Sequence, residues 1–195
     1  MLLRLFCAFC LLCPGLPAAA EKTGTQVLFD AKPQYPTQGG PGAKWISLPQ
    51  QSAVLVGGVG GLLVGERWNI GVGSYSLASE VVVSRGGVPR DIGMSYGGAS
   101  FGISFYPRRL FYFNVATMVG YGQAWGISRE AGAQREVAAF GILEPEFAWV
   151  VNLTKEVRLA TSLSLRIIRG ADLANTVGTN LEGTALGFTL LYGRL

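Results

Sequence analysis

The sequence predicts an all-β fold: an antiparallel up-and-down barrel of eight membrane-spanning strands. Three observations carry this. Residues 93–125 form two alternating arms around a short polar turn beginning at Pro107, each arm long enough to cross the hydrocarbon core of a bilayer as a tilted strand. Charged residues make up only 14% of the 195-residue chain, against roughly 25% in an ordinary soluble domain. Glycine, at 28 residues, has about twice its average usage. An interior glycine costs a helix about 1 kcal/mol, so this composition argues against a helical bundle.

The two arms show the pattern most clearly. In the first, Ala99, Phe101, Ile103 and Phe105 share one face, opposite Tyr96, Gly98, Ser100, Gly102, Ser104 and Tyr106. In the second, Phe111, Phe113, Val115, Val119 and Tyr121 oppose Tyr112, Asn114, Ala116, Gly120 and Gly122. Large apolar side chains on one face and small or polar ones on the other suit a strand between lipid and a narrow lumen.

Taken in order, residues 1–20 read as a secretory signal peptide. Arg4 supplies the positive start, LFCAFCLLC the apolar stretch and Ala18-Ala19-Ala20 the cleavage site. All three cysteines (Cys7, Cys10 and Cys13) fall within it, so the exported chain would carry no disulfide. Leu12 stands before Cys13 where a lipoprotein signal wants a small residue, which argues against lipidation there. Without Arg4 the formal charge of +4 becomes +3, 15 basic residues against 12 acidic. No basic stretch interleaved with aromatics marks a nucleic-acid groove, so no nucleic-acid partner is expected.

Residues 21–42, with Pro33, Pro36, Pro41 and the run QGGPG, read as an irregular periplasmic lead-in. The barrel is expected over 43–195. AKWISLP is its short first strand and residues 52–63 its second. Residues 68–78 form the third, with Trp68, Ile70 and Val72 outward and Asn69, Gly71, Gly73 and Tyr75 inward. The two arms follow as the fourth and fifth. Residues 137–151 place Leu143, Phe147, Trp149 and Val151 on one face and Glu144 and Glu146 on the other. Residues 157–168 turn Leu159, Leu163, Leu165 and Ile167 outward and Arg158, Ser162, Ser164 and Arg166 inward. Residues 182–194 close the barrel, with Leu186, Phe188, Leu190 and Tyr192 on the apolar face. Short turns after residues 63, 106 and 151 alternate with long loops at 79–92, 126–136 and 169–181, as periplasmic turns alternate with extracellular loops in such barrels.

Segments VLVGGVGGLLVGERWNIGVGSYSL, SYGGASFGISFYP and LEPEFAWVVNLTKEVRLATSLSLR carry a family likeness over residues 43–195. The chain resembles the small bacterial outer-membrane β-barrels of the OmpX and OmpA-transmembrane type. The resemblance implies a bacterial outer-membrane location after removal of the signal peptide, contact with outer-membrane lipid, and help from the barrel-assembly machinery. Gly187, Leu190 and Tyr192 resemble the C-terminal signal read by that machinery, although Leu195 stands where an aromatic residue is usual.

Chemistry is sparse. Gly98 to Gly102 matches the G-x-S-x-G nucleophile pattern, but it lies mid-strand and the chain has no histidine to accept the serine proton. No glycine run has the context of a phosphate-binding loop. A zinc site would have to form without His or Cys, and Asp172, Asn175 and Asn180 do not have EF-hand spacing for calcium. No catalytic residue, cofactor or metal is expected. Asn152-Leu153-Thr154 reads as turn chemistry. Charges inside so apolar a chain need partners, and Glu144, Glu146, Arg158 and Arg166 are expected to form a lumenal ion-pair network that plugs the barrel. Trp68, Trp125, Trp149, Tyr121 and Tyr192 are expected at the membrane interfaces.

The expected function is therefore that of a filled outer-membrane barrel with a structural or surface-interaction role, exerted through its three long loops. Two other readings compete. One is a soluble exported barrel holding a small apolar ligand, as lipocalins do. The other is a lipid-modifying outer-membrane enzyme that works without histidine.

Overall fold

The computed structural model describes residues 37–48, 51–65, 67–85, 88–128, 135–170 and 181–193. The segment expected to be a signal peptide, most of the expected lead-in and Asp172, Asn175 and Asn180 lie outside the described residues. Nine strands are present among the described residues: β1 (Thr37–Ser47), β2 (Ser52–Val64), β3 (Trp68–Leu77), β4 (Val81–Arg85), β5 (Val88–Phe105), β6 (Phe111–Ser128), β7 (Arg135–Asn152), β8 (Val157–Arg169) and β9 (Gly183–Gly193).

Eight of them close into an antiparallel up-and-down barrel. Consecutive barrel strands pair, β3 pairs directly with β5, and β1 pairs with β9. Closure leaves the barrel wall without an exposed strand edge. Both termini of the barrel lie at the end with the short turns 65–67, 106–110 and 153–156, here called the lower end.

Three boundaries differ from the sequence-based expectation. Strand β1 starts at Thr37, so residues 37–42 belong to the barrel and not to the lead-in. The turn-like QGGPG run is overridden by pairing on both sides, with Gly40 opposite Val59 and Gly42 opposite Gly57. Glycine there has a packing reason, since a Cβ on Gly40 would lie 1.8 Å from the Leu190 carbonyl oxygen. Pro41, which has no N–H to give, leaves its mark on the other side. The β1–β9 ladder runs through Gly39 and Tyr192 and resumes only at Gly42 and Thr189.

The second correction concerns residues 79–92, expected as a loop. They are largely a hairpin in which β4 pairs with the first residues of β5, Val81 opposite Ile92. Three consecutive valines favour an extended chain here, and the following Gly86-Gly87 is a turn signal. The third is the loop expected at 126–136. Strands β6 and β7 lengthen into it, with Ile127 opposite Arg135, so that only 129–134 remain between them.

The inside-outside alternation assigned from sequence holds in β3 and in β5 to β9, except that Tyr106, expected inward, stands exposed in the turn after β5. Phe101, Phe111, Val72, Leu163 and Phe188 face outward and exposed, whereas Ile46, Met94, Tyr96, Ile142, Val150 and Arg166 face inward and buried. The lumen is filled in layers. Ile46, Leu55, Val81, Ile92, Met94, Phe140, Ile142, Ile168 and Leu181 form an apolar cap toward the upper end. Tyr112, Ala148, Val150, Ala160 and Leu191 pack near the lower end.

Candidate functional site: the lumenal ionic layer

Between the two apolar layers lies a compact charged cluster. The alternation that turns Trp45 outward turns Lys44 inward from β1, where it is 4% exposed. Its Nζ lies 2.8 Å from Glu144 Oε1 and 2.9 Å from Glu146 Oε2. Both carboxylates come from the inner face of β7, two residues apart, as the pleat requires. Glu144 is further held by Ser164 Oγ, which donates over 2.6 Å, and by the Tyr96 hydroxyl, which donates over 3.0 Å. The Lys44 ammonium also sits 4.5 Å from the centroid of the Tyr75 ring, which in turn leans on Tyr96. An ammonium buried this deeply is tolerable because two carboxylates and an aromatic face replace its water.

Arg166 and Arg158 occupy different positions. Arg166 belongs to the same layer, opposite Glu144 between the paired rungs Leu143–Ile167 and Glu146–Ser164. Its Nε and both Nη atoms find no hydrogen-bond acceptor among the described residues, so it balances the carboxylates through space. With Lys44 and Arg166 against Glu144 and Glu146, the layer is formally neutral. Arg158 stands apart at the lower end, where its Nη2 donates to the Gly193 carbonyl over 2.9 Å. The four-residue network expected from sequence is corrected accordingly: Arg158 leaves it and Lys44 enters it. Sequence reasoning missed Lys44 because its strand was short and faintly marked. Its alternation with Trp45 was the available signal.

Below the charged layer the lumen narrows to a cavity of about 80 Å³, lined among others by Gln38, Asn69, Asn114, Ala116, Thr189 and Glu146. Gln38 donates to the Asn69 side chain, and Asn69 Nδ2 donates to Ser104 Oγ over 3.0 Å. The arrangement can neutralise charge and exclude solutes.

The aromatic residues singled out from sequence lie on the outer face. Trp68, Trp149 and Tyr192 are exposed toward the lower end. Phe147 and Trp149 meet edge to face at 4.7 Å, and the Tyr192 hydroxyl donates to Glu156 Oε2 over 3.1 Å. Tyr121 is 82% exposed on the upper half of β6. Trp125, higher still, lies across Gly93 and carries the Arg135 guanidinium 4.9 Å from its ring centroid.

No family model matches the sequence, and no curated protein does. Solved structures do. Neisserial surface protein A is similar at 15% identity and a TM-score of 0.61, over 80% of this chain and 94% of that one. The N-terminal β-barrel domain of Pseudomonas aeruginosa OprF is similar at 10% identity and a TM-score of 0.53, over 81% of this chain and 97% of that one. This chain has the fold of these small outer-membrane barrels. The likeness is one of architecture, at an identity too low to carry a shared role.

Proposed function

We propose that this protein is an integral barrel of a bacterial outer membrane, closed by its own side chains, with a structural or surface-interaction role exerted through its upper loops. The observation that carries the reading is the inversion of the barrel. Large apolar side chains such as Trp45, Val72, Phe101, Val119 and Leu163 face outward and exposed, while Lys44, Glu144, Arg158 and Arg166 are buried inside. A soluble ligand-binding barrel requires the opposite arrangement, an apolar lumen and a polar exterior. Lipid removes the cost of such a surface, and closure meets its demand that every backbone polar group be paired.

The filled lumen argues against a solute pore. Eight strands leave room only for side chains, and here an apolar cap stands directly on the ionic layer. With no histidine in the chain to act as a general base, the reading includes no catalytic role. The role would be exerted at the upper rim, where the β4–β5 hairpin stands.

The test is fractionation of cells expressing the intact chain, followed by electrophoresis of the membrane fraction with and without boiling. Outer-membrane location with a heat-dependent shift in mobility supports the reading. A soluble periplasmic band without a shift overturns it and restores the ligand-binding barrel.

A further inference from the structure

The lumenal cluster holds more than an ion pair needs. One carboxylate at 2.8 Å would neutralise the Lys44 ammonium, yet the Glu146 carboxylate stands 2.9 Å from the same Nζ. Both oxygens of Glu144 also accept from neutral donors, Oε1 from Ser164 Oγ over 2.6 Å and Oε2 from the Tyr96 hydroxyl over 3.0 Å. Lys44, Tyr96, Glu144 and Ser164 are all buried, beneath the apolar cap that includes Met94 and Ile142. Sorted by role, the cluster contains an amine, a carboxyl group against it, a second carboxylate able to carry a proton, and hydroxyl donors on both oxygens of the first. Condensation of an amine with a carboxyl group requires these parts.

Two features of the surroundings suit that reaction. The β7–β8 ladder passes from Leu143 and Ile167 directly to Glu146 and Ser164, at a proline that has no N–H to give. Glu144 therefore lies in an unpaired stretch of that join, where the backbone can yield as its carboxyl carbon turns onto Nζ. Glu146, for its part, reaches the cavity of about 80 Å³ below the layer, which Gln38, Asn69 and Asn114 also line. A polar cavity of that size can take up a released water.

We propose that Lys44 and Glu144 condense into an intramolecular isopeptide bond, Nζ to Cδ, that ties β1 to β7 across the lumen. Nζ first passes one proton to Glu144 Oε1, which turns the buried ion pair into a neutral amine and a neutral acid. The Nζ lone pair then bonds to Cδ, and the C=O electrons move onto Oε2 beside the Tyr96 hydroxyl. Glu146 takes a second proton from Nζ. As the C=O bond to Oε2 reforms, Oε1 leaves as water, with its own proton and the one returned by Glu146. The amide keeps the third proton, and nothing is oxidised or reduced. Glu146 and Arg166 remain as the two charges of the layer, so it stays neutral. The groups act once, on their own chain, and turn over no substrate. The bond depends on the barrel fold alone, whether the outer face meets lipid or water.

The test is mass spectrometry of the full chain, expressed in cells and purified in its folded form. The wild type should weigh one water less than its sequence from the measured N-terminus, and digestion should release a linked peptide joining Lys44 to Glu144. K44R, which stays charged and offers no free amine, should have full mass. E144Q presents the same carbon with a different leaving group and should lose one ammonia in place of water. Once boiled, the wild type is still closed into a loop between residues 100 apart and should run ahead of K44R on a gel. A folded wild type of full mass overturns the proposal, whichever variants fold, and leaves the membrane reading standing. A water loss that persists in K44R, or a linked peptide joining Lys44 to Glu146, overturns it as well.

Discussion

Lys44 and Glu144, a hundred residues apart in sequence, meet in the barrel lumen at 2.8 Å, each almost wholly withdrawn from solvent. The pair joins β1 to β7 across the interior, between strands that share no ladder. Removing one member strands the other in a narrow space. K44M should therefore cost about 3–5 kcal/mol, the usual range for a buried charge left unpaired. Urea unfolding followed by the heat-dependent gel shift measures it. E144A/E146A should also lower the midpoint; unchanged stability would show that the cluster does not hold the lumen together.

Asn152 clamps the lower β5–β6 turn through two side-chain bonds to carbonyls. N152A removes both bonds and leaves the Pro107 carbonyl unmet in a buried setting, at about 1–3 kcal/mol. The turn should become the first site of cleavage under limited proteolysis, with the barrel otherwise intact.

Two glycines on neighbouring strands should respond in opposite ways to the same substitution. A Cβ at Gly40 would press into the Leu190 backbone, whereas one at Gly60 meets nothing within 4 Å. G40A should reduce the yield of heat-shifted barrel sharply, and G60A should leave it near wild type.

Gly93 lies opposite Trp125, and a Cβ there would come within 2.2 Å of the indole. G93A should displace the ring and undo its stacking with Arg135. The readout is tryptophan emission in a variant that keeps Trp125 alone.

Val72, 65% exposed midway along β3, separates the membrane barrel from a soluble one. In lipid V72K should cost about 2–4 kcal/mol, the penalty of a lysine near the midplane. On a water-facing surface it would be almost neutral, and a change below about 0.5 kcal/mol, the range of ordinary surface substitutions, would sink the membrane reading.

Much of this architecture is written in the alternation itself. Phe101, Ile103 and Phe105 against Ser100, Gly102 and Ser104 announce a strand and its two faces at once, because the pleat has a period of two. Gly39 to Gly42 give no such contrast, since a residue without a side chain has no face to report. They became strand only because β2 and β9 flank them on both sides. Glu144 and Arg166 were legible as inward charges, but their pairing was not. Which cation reaches a carboxylate across a lumen depends on register and barrel radius, and those are set by all eight ladders together. Lys44 entered the cluster for that reason, and Arg158 fell outside it because its strand carries it to the lower end.

The skipped rungs at Gly40 and Pro41 lie in the ladder that joins the first and last strands of the barrel. That ladder spans the greatest sequence separation of any in the molecule, so its closure entropy is the largest and its contacts are the last to be gained. The β7–β8 ladder skips two rungs at Glu144 and Pro145 in the same way, so Pro41 and Pro145 each thin their own join. During folding the wall would remain an unsealed sheet until β9 arrives to pair with β1.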